Sequence, residues 1–465
     1  MDAHWDGYDY LVALSARVQH MRCVDRLLVD LPTAAIQIFK GVRADAPTDT
    51  DPALTAKRQD RAYRLADLSR CKVTGKIYSK TSNGDGDAMV GNRTLARRWT
   101  TAASTAGPNG GVHVECPPVP GEQVEVMRSL NGWVADNMLP LLAPVESSWQ
   151  PHDFLPCSAP ASGESEGEAL AAFTEAVAKL REGVAGVPDE ILVCLVGNMV
   201  TEEALPTYQT MGNRVEGGSD ETGASSLPWA QWIRGWTAEE NRHGDLLNRY
   251  LYLSGRVDMR QVETTVHHLL RNGMEMLVPN SPYHSMIYGA FQERATFISH
   301  GHTGRLAGQH GDKALAKICG AIAADERRHE AGYTRGSAKL FQVDPDGMVR
   351  ALAYVMRGKV TMPGLLMSDG RDGGETLFER FSAVAECIGV YTARDYGDLV
   401  EHFVRRWRVA ELTGLSGEGR RAQEYVCGLP PKIRRMAELA HQRAARSESR
   451  TLQFSWIFDR SVMLR

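Results

Sequence analysis

Glu240-Asn-Arg-His243 and Glu326-Arg-Arg-His329 are the stretches whose reading decides the fold. Residues three apart on a helix share a face, so the Glu and His of each copy can reach one ion together. Each copy sits in a long helical pattern, and two further helical patterns offer an inward glutamate, Glu202 and Glu293. Glu, Glu-x-x-His, Glu and Glu-x-x-His on four helices is the ligand inventory of a carboxylate-bridged di-iron or di-manganese bundle. The spacing alone carries little weight, because Glu438-Leu-Ala-His441 fits it too. That third copy lies in an Arg-rich C-terminal stretch with no helix left to complete a site, and reads as a solvated helix face.

Charge explains why these residue types belong together. Two divalent ions bring four positive charges into an apolar interior, and four ionised glutamates cancel them while two imidazoles stay neutral. Without that compensation a buried carboxylate costs several kcal/mol or takes up a proton. Oxygen and imidazole ligands suit iron or manganese. The 8 cysteines include no C-x-x-C pair, which argues against a zinc finger or an iron–sulfur cluster.

The chain has 465 residues, 43% hydrophobic and 24% charged, values ordinary for a globular protein. A net charge of -4 gives no nucleic-acid signal, and no apolar run approaches the length of a membrane span. Residues 1–120 are expected to form a poorly structured extension serving as targeting or linker sequence. Its start is too acidic (Asp2, Asp6, Asp9) for an ordinary transit peptide. Residues 121–465 read as one helical domain. One helix opens at Pro188 and runs to Met211 with a kink at Pro206. Others span about Leu227 to Ser254, Pro282 to Gln309 and Ala314 to Leu340, and residues 158–167 read as a low-complexity linker. A short hairpin is expected over Phe454 to Val462.

Around the motifs the wording is more specific than spacing. Trp236-Thr-Ala-Glu-Glu240-Asn-Arg-His243-Gly-Asp-Leu-Leu247, Thr201-Glu-Glu-Ala-Leu-Pro-Thr-Tyr208, Phe291-Gln-Glu-Arg-Ala-Thr296 and Ala324-Asp-Glu-Arg-Arg-His-Glu330 resemble plant soluble acyl-carrier-protein desaturases. So do Trp149-Gln-Pro151, Asp369-Gly-Arg-Asp372 and Phe454-Ser-Trp-Ile-Phe-Asp-Arg460. The resemblance covers about residues 121–465. It implies an all-α, ferritin-like di-iron bundle with surrounding helices, and an enzyme of fatty acid biosynthesis. Such an enzyme puts a cis double bond into a saturated acyl chain on acyl carrier protein, with dioxygen and reduced ferredoxin.

The resemblance assigns Glu202, Glu240, His243, Glu293, Glu326 and His329 as ligands of two iron ions. It makes Trp149, Asp325 and His243 a route for electrons, and places Thr296 beside the oxygen-binding side of the cluster. It further implies a homodimer in the plastid stroma. The chemistry agrees with the residues: an unactivated methylene has no acidic proton, so side-chain acids and bases cannot remove its hydrogen.

Near the expected acyl tunnel the chain departs from its relatives with Arg214, Val215, Met276, Val278, Ser285 and Met286, while Met211 is retained. A bulkier lining is expected to shorten or shift the cavity, and Arg214 fits only if its head reaches water. Ala143 and Ser147 stand where relatives carry lysines near the tunnel mouth, which should weaken or move docking of the acidic carrier. Two other readings share the metal residues: a ferritin-like ferroxidase, and an inactive paralogue that binds acyl carriers. A ferroxidase needs neither a long tunnel nor over a hundred residues after the fourth helix, and the intact ligand set speaks against inactivity.

Overall fold

Helix ends fall where the sequence places its breakers and caps. In the computed structural model, residues 118–157, 165–274, 280–358, 360, 362–371, 375–444 and 449–464 are described. The expectations for residues 1–117 and for Met276 and Val278 lie outside them. Along the chain come α1 (Gly121–Ser129), α2 (Asn131–Asn137), α3 (Glu166–Ala185), α4 (Asp189–Glu202) and α5 (Leu205–Gly212). There follow α6 (Pro228–Ser254), α7 (Met259–Asn272), α8 (Pro282–Gln309), α9 (Lys313–Val343) and α10 (Pro345–Gly358). The chain ends in α11 (Leu377–Ile388), α12 (Ala393–Arg406), α13 (Gly417–Cys427), α14 (Leu429–Ala444), β1 (Arg450–Gln453) and β2 (Ser461–Leu464).

Four helices, α4, α6, α8 and α9, form the central bundle, with α8 and α9 packed along most of their length. Pro228 and Pro282 each open a helix at a position whose N–H would have no partner. Asp312 caps α9 through Leu315 N at 2.8 Å. Gly255 closes α6 in the left-handed region at φ 65°, which a residue without a Cβ adopts freely.

The expected kink at Pro206 is a full break. The helix stops at Glu202, and α5 begins at Leu205 with Pro206 in its first turn. Proline has no N–H to offer the carbonyl four residues back, that of Glu202, so the ladder cannot continue there. The linker expected at 158–167 is also shorter at its C-terminal end, because Ser165 and Glu168 form a capping box that starts α3 at Glu166. The C-terminal hairpin begins before the expected segment, with β1 ahead of Phe454 and β2 starting inside the segment at Ser461. β1 and β2 pair antiparallel from Arg450↔Leu464 to Gln453↔Ser461, and the turn between them holds the buried Trp456.

Two apolar clusters sandwich the bundle's midpoint. One holds Leu192, Leu195, Val196, Met199, Leu247 and Tyr250. The other holds Trp229, Trp232, Tyr283, Ile287, Phe291 and Phe403. All-helical architecture with a small C-terminal hairpin is thus what the described residues adopt, as their 3.6-residue apolar period requires.

Candidate metal centre

Between those clusters the four helices turn carboxylates and imidazoles toward one another. Glu202 comes from the last turn of α4, Glu240 and His243 from α6, Glu293 from α8, and Glu326 and His329 from α9. All six are buried. They fall into two overlapping groups, Glu202–Glu240–His243–Glu326 and Glu240–Glu293–Glu326–His329, each with ligand atoms within 4.8 Å of one another. Glu240 and Glu326 belong to both groups, so they are the carboxylates able to bridge two ions. Glu202 with His243, and Glu293 with His329, belong to one group each and could serve one ion each. His243 Nδ1 lies 3.1 Å from Glu240 Oε2 and 3.4 Å from Glu326 Oε1. His329 Nδ1 lies 2.7 Å from Glu240 Oε1 and 3.4 Å from Glu293 Oε2.

Outer atoms of these ligands are held, and four inner ones have no hydrogen-bond partner. His300 Nε2 lies 3.0 Å from Glu202 Oε1, Trp236 Nε1 donates to Glu293 Oε1 at 2.9 Å, and Thr296 Oγ1 donates to Glu326 Oε2 at 2.8 Å. Glu240 Oε1, Glu293 Oε2, Glu326 Oε1 and His329 Nδ1 are buried and have no hydrogen-bond partner. The 2.7 Å approach of His329 Nδ1 to Glu240 Oε1 does not make a hydrogen bond, so both atoms keep their capacity for a cation. Buried polar atoms without protein partners, grouped this closely, fit a bound cation better than a packed ion pair. The donor set fits two iron or manganese ions.

Left to themselves, the same groups compete for protons. Burial first, and then the charges of neighbouring carboxylates, push Glu202 and Glu293 well above the usual carboxylate range. Burial also works against the charged forms of Glu240, His243 and His329, but is outweighed. The two imidazoles hold Glu240 far below its ordinary value, and the surrounding carboxylates hold both imidazoles well above theirs. Protons thus occupy the role that cations would fill.

A reciprocal outer layer orients the two histidines. His243 of α6 meets Asp325 of α9, with Nε2 at 3.3 Å from Oδ2. His329 of α9 meets Glu239 of α6, with Nε2 at 3.0 Å from Oε2. Arg328 ties both acids together, donating to Glu239 Oε2 at 2.6 Å and Asp325 Oδ1 at 2.5 Å. Such a carboxylate–histidine pair fixes which nitrogen faces the metal. Glu239, Arg328 and His300 escaped the sequence reading. A signal for the first two existed: both metal motifs read acid-Glu-x-Arg-His, in Glu239-Glu240-Asn-Arg-His243 and Asp325-Glu326-Arg-Arg-His329. His300 carried no such mark.

Trp149 Nε1 donates to Asp325 Oδ2 at 3.0 Å, and its ring stacks parallel to His243 at 6.0 Å. The structure therefore brings Trp149, Asp325 and His243 together at the edge of the cluster, with the Arg242 guanidinium 5.0 Å over the indole. Thr296 also lies 3.1 Å and 3.0 Å from the carbonyls of Gln292 and Glu293, so the helix-packing role and the contact with Glu326 share one hydroxyl. Glu438 and His441 face outward on α14, as expected of a solvated face.

A cleft of about 1080 Å³, its open mouth included, reaches the cluster between α5, α6, α8 and α9. Met211, Val215, Trp232, Ser285, Met286 and Tyr333 line it, and Glu240, Glu293 and Glu326 stand at its inner end. Arg214 is exposed and does not line it, so its charge stays in water. Ala143 and Ser147 do not line it either, and Ala143 N instead donates to Glu239 Oε1 at 2.6 Å.

Residues 122–458 match the family described as fatty acid desaturase. The chain belongs to that family. It is 77% identical over 378 residues to acyl-[acyl-carrier-protein] desaturase 4, chloroplastic, of Oryza sativa subsp. japonica, spanning 80% of this chain and 89% of that one. It is 57% identical over 354 residues to the chloroplastic stearoyl-[acyl-carrier-protein] 9-desaturase of Ricinus communis, spanning 76% of this chain and 86% of that one. For acyl-[acyl-carrier-protein] desaturase 7, chloroplastic, of Oryza sativa subsp. indica, identity is 59% over 345 residues, spanning 74% and 83%. Every ligand position named above falls inside the stretch shared with the desaturase family.

Proposed function

We propose that this chain is a desaturase that puts a cis double bond into a saturated fatty acyl chain borne on acyl carrier protein. It would use two iron ions, dioxygen and electrons from reduced ferredoxin. The observation that carries this reading is an apolar cleft ending on a two-ion set of carboxylates and imidazoles. Glu202, Glu240, His243, Glu293, Glu326 and His329 would hold the ions. When bound, the iron pair supplies an oxidant able to take hydrogen from an unactivated methylene. Each turnover removes two hydrogens from the chain, consumes one dioxygen with two electrons and two protons, and releases two waters.

The protein's share is position and exclusion. Cleft walls such as Trp232, Met286 and Tyr333 bind the acyl chain by burial, worth about 0.8 kcal/mol per methylene, and keep water from the reacting carbons. Glu239 and Asp325 hold the two imidazoles in orientation, while His300, Trp236 and Thr296 hold the carboxylates. Trp149 is the proposed way in for electrons, through Asp325 and His243. A ferroxidase has no use for a long apolar cleft, which favours the desaturase. The chloroplastic relatives support a plastid location, and the family resemblance supports a homodimer. A reporter fusion of residues 1–110 and light scattering of the purified chain test those two points.

The deciding experiment loads the purified protein with ferrous iron and supplies reduced ferredoxin, dioxygen and acyl carriers of several chain lengths. Mass spectrometry should find a product two hydrogens lighter. Iron oxidation with no such product at any chain length would refute the proposal.

A further inference from the structure

The cleft just described is not the sole space that reaches the cluster. A second cavity of about 1320 Å³, again with its mouth included, lies on the other side, between α4, α8, α11 and α12. The two spaces share Thr201, Glu202 and Thr296, so the last turn of α4 and one threonine of α8 form the partition. The walls of the second cavity are mainly apolar, with Met362, Leu365, Phe378, Phe381 and Ala385. Its outer end carries the exposed Glu386, anchored to Ala393 N at 2.7 Å. Phe381 lies so close over Gly197 that a Cβ there would stand 2.1 Å from the ring. Glycine lets the aromatic edge lie against the α4 backbone beside the metal ligands.

From this geometry we infer that dioxygen reaches the metal through the second cavity, independently of the acyl cleft. The inference rests on the desaturase reading, which requires acyl chain and dioxygen at the cluster together. A bound acyl chain fills the first cleft and closes that path. Dioxygen is small and apolar, so it partitions from water into a space walled by Phe378, Phe381 and Leu365. The inner end opens on Glu202 and Thr296, at the residues proposed to hold the ions. Asn198 Nδ2 and His300 Nδ1, on two other lining residues, are buried without protein partners, so ordered water on part of the floor is the competing occupant.

Xenon is an apolar probe of such spaces and needs neither turnover nor metal. Crystals of the wild-type protein pressurised with xenon should show it between Phe381 and Thr296. Xenon confined to the acyl cleft, or only water in the second cavity, would overturn the inference. In solution, Ser382→Phe should narrow the cavity and raise the KM for dioxygen several-fold, leaving the KM for the acyl carrier unchanged. Phe381→Ala, which removes an aromatic wall of the cavity, should not raise it. A folded Ser382→Phe enzyme with an unaltered KM for dioxygen would also overturn the inference. If wild-type protein yields no unsaturated product, the desaturase reading fails, while the xenon result still decides what the cavity admits.

Discussion

Glu239→Gln tests the reciprocal layer that orients the two histidines. Glu239 is 3% exposed, and both of its oxygens accept hydrogen bonds. Oε1 takes Ala143 N at 2.6 Å, while Oε2 takes Arg328 at 2.6 Å and His329 Nε2 at 3.0 Å. Glutamine keeps the shape but has one acceptor and one donor. Whichever way its amide turns, an NH₂ group meets another donor, either the backbone N–H or the Arg328–His329 pair. Losing a charged acceptor while leaving a buried donor unmet costs about 1.5 to 3 kcal/mol. Part of that falls on the orientation of His329, where outer-layer substitutions in metal sites weaken binding roughly 10- to 100-fold. Apparent ferrous affinity, measured by chelator competition on wild type and variant, reads this directly. Glu438→Gln, in the outward-facing copy of the motif, serves as the control and should change nothing. A Glu239→Gln protein that binds metal like wild type and melts at the same temperature would refute the reasoning.

Three further outcomes follow from the geometry. Gly336→Ala places a Cβ 2.3 Å from Met286 Cε. The flexible thioether must retreat by about 1 to 1.5 Å into the cleft to regain normal contact. Each acyl methylene thereby displaced loses about 0.8 kcal/mol, about fourfold in binding, so product analysis across chain lengths should shift toward shorter acyl chains. His284 is held down to about 4 by burial, against about 6.5 in an unfolded chain. Between those values the unfolded chain binds the proton first, so stability falls as pH drops from about 6.5 toward about 4 and levels below. Denaturant titrations at several pH values should lose this component in His284→Gln, a difference on the order of 2 kcal/mol after allowing for partial exposure. Chelation of the metal should lower the melting temperature, since an ion bound to the folded state alone stabilises it by mass action. An unchanged melting curve after chelation would contradict a metal held by this cluster.

The outward Glu438–His441 pair shows the limit of motif reading, because spacing is a property of one helix and a site is a property of four. Glu202 and Glu293 gained meaning in the sequence only as partners of the two Glu-x-x-His copies. From the sequence Arg214 belongs to the tunnel wall with its head in water; in the structure it follows α5, exposed and off that wall. His300 could not be found at all, since its role depends on an oxygen 98 residues away in sequence.

By itself the sequence determined the helical period, most helix starts and stops, the six side chains proposed as metal ligands and the family. These are local matters, fixed by 3.6-residue spacing, by proline and glycine, and by wording around the motifs. Tertiary structure alone decided which carboxylates are shared, which acid orients which imidazole, and that two separate cavities meet at Glu202 and Thr296. The reason is that each of those facts depends on distances between helices. Side-chain packing across the bundle sets those distances, and no run of neighbouring residues encodes them.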